Sequence, residues 1–201
     1  PRSFVRFGLG LCAGLLATAA ALFAQTPSSS DGFDPDVDGV VFATVLQPDG
    51  KLLIGGQFST VRGVARNNVA RLLPDGSLDD AFNPNANGPV RTIVLQSDNR
   101  ILVGGEFTTV QPAGTATAVN RGRIARLNVD GSLDAAFNPT IGGFLAPQVL
   151  AIVVQPDNRI VVGGQFSTVQ PNGTATAVTR NNIARFNADG SLDAAYNPNP
   201  N

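Results

Sequence analysis

Between residues 41 and 198 the apolar positions come in short runs cut by turn-forming residues, the pattern of many short strands. Val41 to Gln47 is β-branched and apolar, Pro48-Asp49-Gly50 reads as a turn, and Lys51 to Ile54 returns as a second strand. Proline presets φ at the second turn position and aspartate bonds locally to the backbone, while the residue after it needs a left-handed conformation. Asn99 and Asn158 replace Gly50 at that place, and asparagine is the non-glycine residue that best tolerates positive φ. A third strand is predicted over Val69 to Leu73, Ile124 to Asn128 and Ile183 to Asn187, followed by Asp-Gly turns at Asp75, Asp130 and Asp189.

These elements recur as a unit. The block from Gln47 to Phe58 returns as Gln96 to Phe107 and Gln155 to Phe166, and the block from Arg66 to Pro84 returns as Arg121 to Pro139 and Arg180 to Pro198. The Gly-Gly pairs lie 49 and then 59 residues apart, a period that fits propeller blades better than short solenoid coils. The fold class expected is therefore all-β, a partial β-propeller of three repeat blades of about four strands each, over residues 37–84, 85–139 and 140–198. Phe82-Asn83-Pro84 and its copies are expected to supply the fourth, outer or linking strand. Phe33-Asp34-Pro35 matches them without the rest of a repeat ahead of it, which would suit an N-terminal strand that closes the ring on the last blade. Three blades are fewer than a closed ring uses, so the chain is expected to be truncated at both ends, or else two chains close a six-bladed ring. Extra residues fall only in loops, including Gln111 to Thr117 and Gln170 to Thr176, whose shared Gly and Thr suggest one loop shape on one rim.

One apolar run stands apart. Phe7 to Ala24 is uncharged, preceded by Arg2 and Arg6 and followed by a polar stretch, which reads as a signal peptide over residues 1–24 with a linker over 25–32. Cleavage after Ala21 or after Ala24 both remain open, and the rival reading is an uncleaved membrane anchor. Cys12 follows Leu11 rather than a small residue, which argues against a lipoprotein. Export would place the protein outside the cell or on its surface, with no membrane insertion after cleavage and no cysteine left for a disulfide.

Composition then narrows the chemistry. The chain has no His or Met, one Cys, and one Lys against 13 Arg, so most metal ligands and nucleophiles are missing. Without Arg2 and Arg6 there are 12 basic residues against 15 acidic, a net charge of −3 that disfavours nucleic acid as a partner. No catalytic residue, metal site or cofactor is assigned. Gly55-Gly56 could cradle a phosphate, but no GK[ST] element follows, and a bulge or close packing between blades explains it better. Arg71, Arg126 and Arg185 repeat within the third strand. Partly buried there, they need acceptors, for which Asp79, Asp134 and Asp193 are placed; the functional alternative is a ring of arginines that binds an anion.

The motifs QPDGK…GGxF, RNNxAR and DGSLDxxFNP resemble the bacterial delta-60 repeat family over residues 33 to 201. The resemblance implies a β-propeller-like domain of exported proteins, with no activity for the repeat itself and no catalytic residue to carry over. The expected function is a non-enzymatic module that binds a protein or glycan partner or spaces other domains. The alternative is an extracellular propeller hydrolase or lyase whose site lies in blades not present here.

Overall fold

A computed structural model describes residues 33–143 and 145–198, so the expected signal peptide and linker lie outside the described residues. Every described element is a strand. The first repeat builds β1 (Val40–Leu46), β2 (Leu52–Gln57), β3 (Thr60–Val61), β4 (Val64–Ala65) and β5 (Val69–Leu72). The second builds β6 (Val90–Leu95), β7 (Ile101–Gly105), β8 (Thr109–Val110), β9 (Val119–Asn120) and β10 (Ile124–Leu127). The third adds β11 (Thr140–Gly142) ahead of β12 (Gln148–Val154), β13 (Ile160–Gln165), β14 (Thr168–Gln170), β15 (Val178–Thr179) and β16 (Ile183–Phe186).

Each repeat divides its strands over two antiparallel sheets. β2, β7 and β13 are the central strands of three-stranded meanders, flanked by β1 and β5, β6 and β10, and β12 and β16. The hairpins β3–β4, β8–β9 and β14–β15 form the second sheets, and β11 adds a third strand to the last. Val37 and Ala86 make single bridges to Val61 and Val110 where β11 pairs Ile141 with Val169.

One expectation about the linking segments changes accordingly. Phe82-Asn83-Pro84 is not a strand; Phe82 is fully buried, and pairing begins only at Ala86. The segment before β1 serves its own repeat, since Arg62 N–H donates to Pro35 O at 3.1 Å and Val37 bridges Val61. Pro84 O accepts from Gln111 N–H at 3.0 Å in the same way. The three-residue motif is thus the entry into the blade that follows it.

The turns follow their local chemistry. Gly50, Asn99 and Asn158 have φ of 81°, 62° and 63°, and each N–H closes the turn on the carbonyl of Gln47, Gln96 or Gln155. Asn68 and Asn182 take φ of 64° and 61° at the matching place in RNN, and donate their N–H to Phe58 O and Phe166 O. Replacing Asn99 with alanine is expected to cost about 1 kcal/mol, whereas Asn99→Gly should be neutral within a few tenths. Urea denaturation of the two variants checks this; equal losses would mean that the Asn side chain, not its backbone angle, is what matters.

Alternation then sorts each meander into two faces. Ile54, Ala70 and Leu72 pack under Phe58 and Val61 of their own hairpin. Leu53 and Val69 point the other way and join Val90, Ile93 and Val103 of the second repeat in one core. Leu102 and Ile124 likewise enter the core of the third repeat with Val149, Ile152 and Val162. Each large aliphatic side chain withdrawn from water there contributes roughly 1.5–3 kcal/mol before entropy is counted.

The Gly-Gly pairs make that packing possible. A Cβ on Gly55 would stand 2.8 Å from Val90 and Ile93 methyls, and one on Gly104 would stand 2.6 Å from a Val149 methyl. The first glycine is therefore a socket for the next blade. The second faces a bulge: a Cβ on Gly56, Gly105 or Gly164 would meet the carbonyl of Val40, Pro89 or Gln148 at 2.0, 2.0 or 2.2 Å. The register of the first strand shifts at the same three places, between Val41 and Ala43, Val90 and Thr92, and Val149 and Ala151. Next-blade side chains at Gly55 and Gly104, and the paired strand's backbone at all three second glycines, thus occupy the space that a phosphate would need.

Candidate functional site

The repeated arginines sit where one repeat meets the next. Arg71 on β5 donates from Nε to Asp79 Oδ2 at 2.9 Å and from Nη1 to Val129 O of the second repeat at 2.5 Å, with its guanidinium 4.3 Å above the Phe82 ring. Arg126 on β10 repeats this with Asp134 at 2.8 Å, Ala188 O at 2.5 Å and Phe137 at 4.5 Å. Both side chains are nearly buried, 6% and 4% exposed.

Arg185 on β16 keeps Asp193 at 2.9 Å and the Tyr196 ring at 4.4 Å. Its Nη1 turns instead to Gln155 Oε1 of its own repeat at 3.3 Å, and its side chain is 19% exposed. A cation held by a carboxylate, an aromatic face and a neighbour's carbonyl is a joint between blades. The three arginines are joined to their surroundings repeat by repeat, and neither open pocket described below is lined by any of them.

A second set of arginines opens the same block of each repeat, five residues ahead of the first set. Arg66, Arg121 and Arg180 are all buried, and each donates from Nη1 to the carbonyl of the residue before it, at 2.8, 2.7 and 2.9 Å. Arg66 also reaches Asp80 at 3.1 Å. Burial pushes the Arg121 guanidinium below its ordinary value.

The repeated carboxylates are committed to turns and joints. The Ser59 hydroxyl, then the N–H of Thr60 and of Ser59, hold the Asp38 carboxyl well below the usual range. Ser77, Ser132 and Ser191 lower Asp75, Asp130 and Asp189 through both hydroxyl and N–H. At Asp134 burial opposes the charge, but hydrogen bonds from Arg126, Ala136 N–H and Arg100 outweigh it and the net shift is downward. Among the described residues no three acidic, His or Cys side chains gather as a metal site.

A carboxylate whose folded pKa lies below its unfolded value stabilises the protein above that unfolded value, and the contribution is lost as pH falls through the folded one. The melting temperature is therefore expected to be flat from about pH 5 to 8, where no histidine titrates, and to fall below about pH 4. Melts followed by circular dichroism across that range check it; a drop between about pH 5 and 7 would contradict this assignment of the charges.

Two features distinguish the second repeat from its neighbours. At the strand bulge Arg91 stands where the other repeats carry Phe42 and Leu150, and Glu106 stands where they carry Gln57 and Gln165. Arg91 Nε donates to Glu106 Oε1 at 2.8 Å, and the guanidinium covers the Phe42 ring at 4.1 Å. Sequence reasoning missed this pair, although two unmatched charges in otherwise matching repeats were a usable signal.

The other feature is a pocket of about 250 Å³ between the first two repeats. Ala81 and Asn83 line it from the end of the first repeat, Pro112 and Ala113 from the long loop, and Asp130, Gly131 and Ser132 from the following turn. The rim loop that sequence reasoning singled out does line a cavity. A shallower depression lies at Asp38, Gln57 and Asn67 in the first repeat.

A family model described as "Domain of unknown function (DUF5122) beta-propeller" matches residues 47–82, 96–137 and 155–196. No curated protein and no solved structure matches the chain.

Proposed function

Because the chain belongs to the β-propeller domain family of unknown function whose model it matches along its three repeats, we propose that it is an exported, non-enzymatic module that binds a protein or glycan partner or spaces other domains at the cell surface. The observation that carries the reading is the fate of the repeated charges. Arg71 and Arg126, with Asp79 and Asp134, are spent on joints between blades, and Asp75, Asp130 and Asp189 on turns. What varies between repeats is the rim loop and the bulge residue, the surface on which repeat proteins carry recognition. The delta-60 resemblance and the apolar segment from Phe7 to Ala24 support export.

Two measurements test it. Expressed with its first residues in a bacterial host, the chain should leave the cytoplasm and begin near Leu22 or Gln25 on N-terminal sequencing; retention at full length in the cytoplasm would overturn export. On a glycan array and a panel of soluble polysaccharides, saturable binding without release of reducing ends or unsaturated products supports the binding role, and catalytic release would replace it with a hydrolase or lyase.

A further inference from the structure

We propose that the pocket between the first two repeats is a recognition site for a primary carboxamide, the group at the end of an asparagine or glutamine side chain. The third repeat supplies the template. Its long loop, Gln170 to Thr176, has the same internal bonds as Gln111 to Thr117: Gln170 Nε2 and Gln111 Nε2 donate to Thr174 O and Thr115 O at 2.8 and 3.3 Å. Thr174 Oγ1 and Thr115 Oγ1 donate to Pro171 O and Pro112 O at 3.0 and 2.7 Å. The tips differ in one residue, Asn172 against Ala113.

Asn172 Nδ2 donates both of its protons to backbone carbonyls, to Ala136 O at 2.5 Å and to Asp189 O at 2.9 Å. These carbonyls come from the end of the preceding repeat and from the Asp-Gly turn. The equivalent carbonyls in the second repeat belong to Ala81 and Asp130, two residues that line the pocket. Ala113 carries no group that could reach them, and its N–H donates to Asn83 O at 3.0 Å, whereas Asn172 N–H donates to Gly190 O at 3.0 Å. Neither carbonyl accepts a hydrogen bond from the described residues, and Asn83 Oδ1, a third acceptor on the pocket wall, is buried without a partner.

The ligand class follows from this inventory. Two unclaimed carbonyls placed where Asn172 Nδ2 bonds their counterparts, with the buried Asn83 Oδ1 beside them, favour a group with paired N–H donors, and the Asn83 oxygen is costly to leave unmatched. The Asp130 carboxylate, held below its ordinary pKa by Ser132, places negative charge beside the site and disfavours a carboxylate in place of the amide. A side-chain amide entering from outside would make the two bonds that Asn172 makes from within. This assignment rests on the reading of the protein as a binding module and gives that module a chemical preference.

The test uses ¹⁵N-labelled full chain and three probes: N-acetyl-asparagine methylamide, its aspartate counterpart, and methylammonium. Two hydrogen bonds to one small group place the expected dissociation constant in the millimolar range. The asparagine probe should shift the amide resonances of Ala113, Gly131 and Ser132 saturably, and the aspartate probe should not. Ala113→Asn should abolish the response by filling the pocket from the loop. Asn172→Ala should create a second responding set at Gly190 and Ser191.

No shift with the asparagine probe, equal shifts with the aspartate probe, a response to methylammonium alone, or shifts that persist in Ala113→Asn would each overturn the proposal. The readout is local to these loops, so failed export or an empty glycan array leaves it unaffected. Conversely, a silent pocket alongside a positive array would sink the carboxamide site and spare the binding module.

Discussion

Alanine at Gly105 is expected to disrupt the second repeat, while alanine at Gly163 should leave stability unchanged or raise it slightly. The two glycines belong to the same repeated pair, one as its second member and one as its first. A Cβ on Gly105 would stand 2.0 Å from Pro89 O and 2.9 Å from Val90 Cα, both backbone atoms fixed by the bulge of β6. Relief requires moving the strand itself, so a loss of at least about 3 kcal/mol is expected, a large share of the stability of a domain this size.

A Cβ on Gly163 meets nothing closer than Asn182 O at 3.9 Å and Ala151 Cβ at 4.0 Å. There, removing a glycine from a strand is worth up to about 0.5–1 kcal/mol in the other direction. Gly104→Ala should fall between them, because the atoms it crowds are methyl groups of Val149, Ile152 and Thr92 rather than backbone. Urea denaturation followed by far-ultraviolet circular dichroism ranks the three. Measured on residues 1–201 alone, equal losses from Gly163→Ala and Gly104→Ala would show that close approach of a neighbouring blade is not the reason for the first glycine of the pair.

Removing Arg71 should cost about 3–5 kcal/mol, the penalty typical of leaving a buried charge without its partner. Asp79 is 12% exposed and bonded to Arg71, and no other ion pair to it is found among the described residues. The same change breaks the bond to Val129 O and uncovers Phe82, so it loosens the seam between two repeats as well as one ion pair.

Arg185→Ala is expected to cost only about 1–2 kcal/mol. Its contacts are within its own repeat, its side chain is 19% exposed, and Arg159 remains 3.7 Å from Asp193. Combining Arg71→Ala with Asp79→Asn should recover part of the loss, because the stranded charge goes too. Equal destabilisation by Arg71→Ala and Arg185→Ala, measured by urea titration, would show that the seam contributes nothing.

Much of this could be read from residues that act on near neighbours. The turn at Gly50, with asparagine at its two copies, needs only the left-handed preference of those residues, and the φ values agree. The pairing of Arg71, Arg126 and Arg185 with Asp79, Asp134 and Asp193 was also legible, because the partners lie eight residues apart in a strand and the turn that follows it. The Phe-Asn-Pro motif was misread as a strand. Its regularity comes from burying Phe82 and Phe137 beneath an arginine of the same repeat and from carbonyls offered to the next hairpin, not from a ladder of its own.

The sequence by itself determined the three strands of each meander, their turns and the threefold unit, but not the second-sheet hairpins, since hydrophobic alternation and turn chemistry operate over a few residues and the hairpin strands are only two or three residues long. Only the tertiary structure decided which face of each meander meets the next blade, why two adjacent glycines are needed for two different reasons, and where a loop leaves acceptors unmatched. Those outcomes depend on contacts such as Arg71 with Val129 or Asn172 with Ala136, 58 and 36 residues apart, which identical local patterns cannot distinguish. A change from Asn172 to Ala113 is silent in the strand pattern; it acquires meaning only when the preceding repeat brings its carbonyls to the same place.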